Sequence, residues 1–246
     1  VLITAEPFVE PLKNSGLPIW KNSQIWVASD PYLALAYATQ FFASRMISSE
    51  RAFQRLQSQS SKASVHPQAV VDKTAVLGEG VEIGAFCVVE AGVKIGRGSV
   101  LHAGCYIGSN VQVGESCLFY AGVRMYEGTE IGNRVRIHSN SVIGSDGFGY
   151  APVRAAERKG HVHGEAASQR KDRDLIQGQV KIHHLGKTVI ESDVEIGACC
   201  TIDRAVFGET RLEQGVKLDN QVHVGHNAVL GEGSLVAGGT CFAGRS

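Results

Sequence analysis

The sequence predicts an all-β left-handed parallel β-helix made of hexapeptide repeats, with a partial small α/β domain at its N-terminal end. Two observations predict the β-helix. From Val65, every sixth residue through Ile143 is apolar, fourteen positions without a break. A small or β-branched residue stands two places before each of them, from Ala63 to Ser141. The register resumes at Ile190, Ile196 and Ile202 and, after a phase slip, runs from Leu212 to Phe242. A period of six suits neither an amphipathic helix nor an alternating strand. It suits short strands that wind into a parallel β-helix. Each hexad makes one side of a three-sided prism, so three hexads close a coil. The apolar residue and the small one before it share the inner face, because side chains alternate along a strand. The residue after the apolar one is often Gly, as at Gly78, Gly84, Gly96, Gly108 and Gly114. It reads as a corner whose backbone conformation a Cβ would penalise. Twenty-three hexads give between seven and eight coils.

The other elements follow in chain order. Residues 1–47 lack the hexad register. Ile25-Trp26-Val27 reads as a strand. Asp30 as N-cap and Pro31 at the first helical position open a helix that continues to about Met46. Residues 48–62 are polar and read as a linker. The β-helix takes 63–246, interrupted by a loop at 145–187. A loop this long inside a solenoid is functional or disordered. Its first eight residues, Ser145 to Pro152, are expected to be ordered and the charged stretch after them mobile. The chain begins without Met and stops in mid-coil, which reads as a fragment of a longer protein.

Composition narrows the function. Twenty-four basic and 24 acidic residues give zero net charge, so nothing calls for nucleic acid. No run of about 18 apolar residues predicts a transmembrane segment. Cys87, Cys105, Cys117 and Cys200 fall at the small inward position. They read as core residues rather than a disulfide framework or a metal site. That fits a reducing compartment, hence a cytoplasmic protein.

The histidines are the first candidates for chemistry, since imidazole accepts a proton near neutral pH. His66, His102 and His138 hold corner positions and read as solvated or intersubunit residues. His161 and His163 lie in the charged stretch. His183 and His184 stand at the re-entry to the β-helix and read as structural. His223 and His226 differ in their company: Asp219, Asn220 and Gln221 precede them and Asn227 follows. His223 lies between inward Val222 and Val224 and so points outward. His226 falls at a corner, and one coil later Gly244 stacks on the same edge with its backbone N–H open to a ligand. A base beside an exposed N–H suits acyl transfer, which needs proton removal from the nucleophile and stabilisation of an oxyanion.

These residues resemble a known family, the UDP-3-O-acylglucosamine N-acyltransferases of lipid A biosynthesis. The resemblance rests on Ile143-Gly144-Ser145-Asp146-Gly147-Phe148-Gly149-Tyr150-Ala151, Thr201-Ile202-Asp203-Arg204, Leu218-Asp219-Asn220-Gln221 and Gly225-His226-Asn227. It implies a homotrimer that moves a (3R)-3-hydroxyacyl chain from acyl carrier protein to the 2-amine of UDP-3-O-acylglucosamine. His226 would be the general base and Gly244 would supply the oxyanion N–H. Asp219, Asn220 and Asn227 would bind or orient substrate, and Asp146, Phe148 and Tyr150 would line the cleft. No metal and no resident cofactor are implied, the donor being a 4′-phosphopantetheine thioester on the carrier protein. Residues 1–47 would be the remnant of a nucleotide-binding domain. The charged stretch at 153–180 is longer than usual in the family, and His183-His184 stands where it usually has Pro-Gln. Three rival readings are the sister O-acyltransferase acting on UDP-N-acetylglucosamine, a zinc carbonic anhydrase on the same β-helix, and a non-catalytic scaffold. The zinc site would draw on His223 and His226.

Overall fold

The computed structural model describes residues 2–10, 14, 25–46, 62–152, 175–176 and 179–245. The chain divides into two compact units, Val1–Ser58 and Gln59–Ser246. In the smaller unit, β1 (Leu2–Thr4) and β2 (Ile25–Val27) pair in parallel. Helix α1 (Pro31–Met46) follows. Its start is as the sequence predicts: Asp30 Oδ1 accepts a hydrogen bond from Leu33 N at 2.9 Å, satisfying one of the orphan donors of the first turn. The linker expected at 48–62 lies, apart from Lys62, outside the described residues.

The larger unit is a left-handed parallel β-helix of about eight coils. Its twenty-three coil strands form three parallel sheets of eight, eight and seven. The first sheet runs from Ser64–Val65 to Leu235–Val236, the second from Val70–Val71 to Cys241–Phe242, and the third from Val76–Leu77 to Val229–Leu230. Register is strict: Tyr106 pairs with Arg124, Gln112 with Glu130 and Leu118 with Arg136, each one coil apart. The inward residues of all three faces form one column, in which Phe119, Met125, Ile137, Ile143 and Ile202 are fully buried. Small inward residues also use their donors. Cys87 Sγ, Ser99 Oγ, Cys117 Sγ and Ser141 Oγ each donate to the corner carbonyl one coil on, at 3.0, 3.0, 3.1 and 2.7 Å. Ser and Cys are therefore interchangeable there because both are small and carry one donor.

The role of the corner glycines differs from the sequence expectation. Gly78, Gly84, Gly96, Gly108 and Gly114 have no positive φ; they are needed because the next coil passes too close. A Cβ on Gly96 would stand 2.5 Å from the carbonyl atoms of Gly114, and one on Gly108 2.8 Å from Glu127 N. The left-handed conformation falls two residues later. Gly80, Gly98 and Gly104 share that place with Asn110, Asn140 and Asn227, all with φ between 60 and 72°. Asn tolerates this region better than other residues with a Cβ.

The excursion leaves the coil after Val142–Ser145, where a bulge at Gly144 turns Ser145 toward Asp203. It rejoins at Lys187–Ile190. The coils close beneath it as if nothing were inserted: Glu130 pairs with Val189 and Arg136 with Glu195. Within the excursion, Tyr150–Pro152 pairs antiparallel with Gln179–Lys181, which also pairs with Leu175–Ile176. The charged stretch expected to be mobile lies, over 153–174, outside the described residues.

Two substitutions separate the two corner roles. Gly96→Ala should lower unfolding free energy by about 3 kcal/mol, the upper range for overpacking. Gly98→Asn should cost under about 1 kcal/mol, since Asn accepts the left-handed conformation. Urea denaturation of both variants would check this.

Candidate active site

The strict register places His226 and Gly244 as expected. Both occupy the second corner residue after an inward apolar one, Val224 and Phe242, which pair across adjacent coils. The imidazole lies against the glycine: a Cβ on Gly244 would stand 2.6 Å from His226 Nε2. Only a residue without a side chain leaves the ring where it is.

Asn227 holds the other side of that ring. His226 Nδ1 lies 3.1 Å from Asn227 Oδ1. The amide itself is fixed, because Oδ1 accepts from Val206 N at 3.0 Å and Nδ2 donates to Phe207 O at 2.8 Å. An oxygen so oriented can only accept, so Nδ1 carries the hydrogen of the neutral ring. The lone pair is left on Nε2, the nitrogen beside Gly244.

The corner N–H of this class is free of the inter-coil ladder, and at several corners it captures oxygen. Glu115 N donates to Asn133 Oδ1 at 2.8 Å, Ala198 N to Asn220 Oδ1 at 2.8 Å, and Gly238 N to Asp219 Oδ2 at 3.1 Å. Gly244 N has the same position and no acceptor among the described residues. A base nitrogen and an oxygen-seeking N–H thus stand on one edge.

The excursion covers this edge. A Cβ on Gly147 would stand 3.0 Å from His226 Cδ2, so the loop backbone passes directly over the ring. Asp146 is anchored by Lys181 Nζ at 2.5 Å. Partial burial works against its charge, but the ammonium outweighs this and holds the carboxyl below its usual range. Tyr150 packs on Phe148 with ring centroids 5.3 Å apart, and Phe148 is 89% exposed at the tip. The three expected wall residues are therefore on the loop that covers His226.

Asp219 and Asn220 are placed elsewhere in the single chain. They turn from the first sheet to the second, whereas His226 turns from the second to the third; the strand His223–Val224 separates the two edges. Neighbours in sequence across a strand go to different corners, and for that reason the expected common cleft is not formed within one chain. Asp219 and Asn220 instead line a groove of about 610 Å³ with His138, Glu195, Lys217 and Leu235. Each also binds a corner N–H, as above.

Two residues near His226 were not named as site candidates from the sequence. His184 is buried against it with ring centroids 5.1 Å apart, although its position at the re-entry suggested only a structural part. Asp203, 7% exposed, accepts from Ser145 Oγ at 3.2 Å and faces His223 Nε2 at 3.7 Å. Burial raises its carboxyl above the usual range, opposed by His223 and Ser145. Elsewhere, His102 and His138 stack on either side of Tyr120, at 5.5 and 4.7 Å, with His102 Nε2 buried. His161 and His163 lie outside the described residues. The six cysteines are free, with Cys199 and Cys241 exposed and the other four buried. Among the described residues, no three His, Cys, Asp or Glu side chains are arranged to hold a metal.

Comparison with known proteins adds a sequence relationship. The bacterial transferase hexapeptide family (six repeats) matches residues 74–109 and 110–145. A UDP-3-O-acylglucosamine N-acyltransferase from Leptothrix cholodnii is 43% identical over 201 residues, 82% of this chain and 49% of that protein. Over most of its length the chain is thus similar in sequence to a UDP-3-O-acylglucosamine N-acyltransferase. A second relative of that name, from Wolinella succinogenes, is 57% identical over 67 residues, 27% of this chain and 21% of its own length. The chain thus spans about half the length of the first relative and about a fifth of the second. Among solved structures, an Arabidopsis UDP-N-acetylglucosamine acyltransferase aligns over 74% of this chain and 59% of its own, at 22% identity and TM-score 0.48.

Two outcomes follow from the geometry. Nitrogen-15 NMR of the neutral His226 ring should show the proton on Nδ1; a proton on Nε2 would contradict the Asn227 argument. Asp203 is the second case. A carboxyl with a raised folded value favours the fold most below its unfolded value, near 4, and loses that contribution as pH rises. Asp203→Asn should therefore raise Tm at pH 7 and flatten its pH dependence between about 4 and 7.

Proposed function

We propose that the chain carries the acyl-transfer site of an enzyme of lipid A biosynthesis. It moves a (3R)-3-hydroxyacyl chain from acyl carrier protein to the 2-amine of UDP-3-O-acylglucosamine. The observation that carries this reading is the edge where His226 Nε2, its lone pair free, lies against the backbone of Gly244. A relative named UDP-3-O-acylglucosamine N-acyltransferase matches 82% of the chain.

The steps follow from the geometry. The amine attacks the thioester carbonyl while His226 Nε2 takes its proton. The carbonyl oxygen becomes an oxyanion, which accepts a hydrogen bond from Gly244 N–H. Collapse breaks the carbon–sulfur bond, and the imidazolium returns its proton to the pantetheine thiolate. The protein needs no cofactor of its own, because the donor arrives as a 4′-phosphopantetheine thioester. Asp146, Phe148 and Tyr150, on the loop that passes over His226, line the cleft. Asp219 and Asn220 reach the same cleft from a second copy of the chain in a homotrimer, since one copy holds them on another edge. No helix among the described residues is long and apolar enough to cross a membrane. Six free cysteines suit a reducing compartment, and we place the reaction in the cytoplasm.

The test is N-acylation of UDP-3-O-acylglucosamine by acyl carrier protein thioester, using the protein that contains this chain. His226→Ala should lower kcat/KM by about a thousandfold. Gly244→Ala should lower it by about a hundredfold, because its methyl displaces the ring. Both variants should keep the oligomeric state of the parent protein. Full activity of His226→Ala would remove the base, and acylation of a sugar hydroxyl in place of the amine would move the assignment to O-acyl transfer.

A further inference from the structure

The site holds a second imidazole that acyl transfer by His226 and Gly244 does not use. His184 is only 3% exposed. It meets His226 edge to face, with ring planes at 71° and centroids 5.1 Å apart. The glycine loop seals it: a Cβ on Gly147 would stand 2.8 Å from His184 Nε2, and one on Gly149 3.1 Å from its Cε1. Neither ring nitrogen makes a well-formed hydrogen bond among the described residues, the Ile182 carbonyl being a nearby acceptor. Buried polar groups are nearly always paired, and an unpaired one is destabilising. An apolar side chain would fill this space without that cost, so packing alone does not explain a histidine here.

We propose that His184 is a positioning residue: wedged beneath the Gly147–Gly149 loop, it holds the His226 ring against Gly244 and keeps water from one face of that ring. This rests on the reading of His226 as the base. Two imidazoles this close do not both carry a proton readily, because each charge opposes the other. Burial and the neighbouring His226 both lower the tendency of His184 to ionise, while Asp146, the Ile182 carbonyl and Asp203 pull the other way. The charged groups facing the pair are therefore Asp146, tied to Lys181, Asp203 beside His223, and Arg204, which is paired with Glu127. His184 stays neutral while His226 takes the proton.

The experiment is an NMR pH titration of the ring signals of His226 in the wild type, His184→Gln and His184→Leu. The Leu variant keeps the buried volume without polarity, so it reports on the wedge if Gln disturbs the fold. Admitting water to the ring in His184→Gln should move the His226 midpoint by about one unit from its wild-type value, the size expected when one face of an ionising ring changes its solvation. The same shift should appear in the acid limb of kcat/KM, with the plateau changed only a few-fold. His184→Leu should leave the His226 midpoint within about half a unit of wild type, because it keeps water out. An unchanged midpoint in a folded His184→Gln protein would overturn the proposal. The titration needs no turnover, so it can fail while His226→Ala still abolishes activity. Conversely, a shifted midpoint in a protein without transferase activity would sink the base reading and leave the ring coupling.

Discussion

The closest constraint in this molecule is the distance between one coil and the next at the corners. There the backbone of a coil passes within 3.1 Å of where a Cβ of the preceding corner would sit, at Gly84, Gly96, Gly108 and Gly225 among others. Such contact is possible only if every coil repeats the one before it in register. Register in turn delivers the core, because inward residues then stack into one close-packed column. It also delivers the candidate site. His226 and Gly244 meet because they are the same position on consecutive coils, and the ring rests on the glycine because no side chain intervenes.

A periodic scaffold of this kind supplies repeated N–H groups at its corners and leaves them for side-chain oxygens to fill. At several corners the scaffold fills them itself, as Asn133, Asn220 and Asp219 do. At the His226 edge, Asn227 Oδ1 accepts from Val206 N and also faces the imidazole. Chemistry at that edge thus comes from one amide shared between backbone and ring and from one uncapped N–H, both set on a rigid frame.

How much of this was legible in the sequence follows the same division. The three faces, the inward residues and the stacking of Gly244 on His226 could be read because they obey a fixed period. The glycine role was misread: sequence shows that a side chain is missing, but only the approach of Gly114 to Gly96 shows which penalty it avoids. His184 was passed over because it belongs to the excursion, where no period links it to His226. Asp219 and Asn220 were grouped with His226 by nearness along the chain. That grouping fails within one chain since each short strand carries its two ends to different edges.

The measurement that tests the account most directly is a crystal structure of the protein with its amino-sugar acceptor and a non-hydrolysable thioester analogue. The account predicts the acceptor nitrogen within about 2.6–3.2 Å of His226 Nε2, and the analogue's carbonyl oxygen at a similar distance from Gly244 N. An acceptor amine bound at another edge, with His226 Nε2 facing solvent, would contradict it.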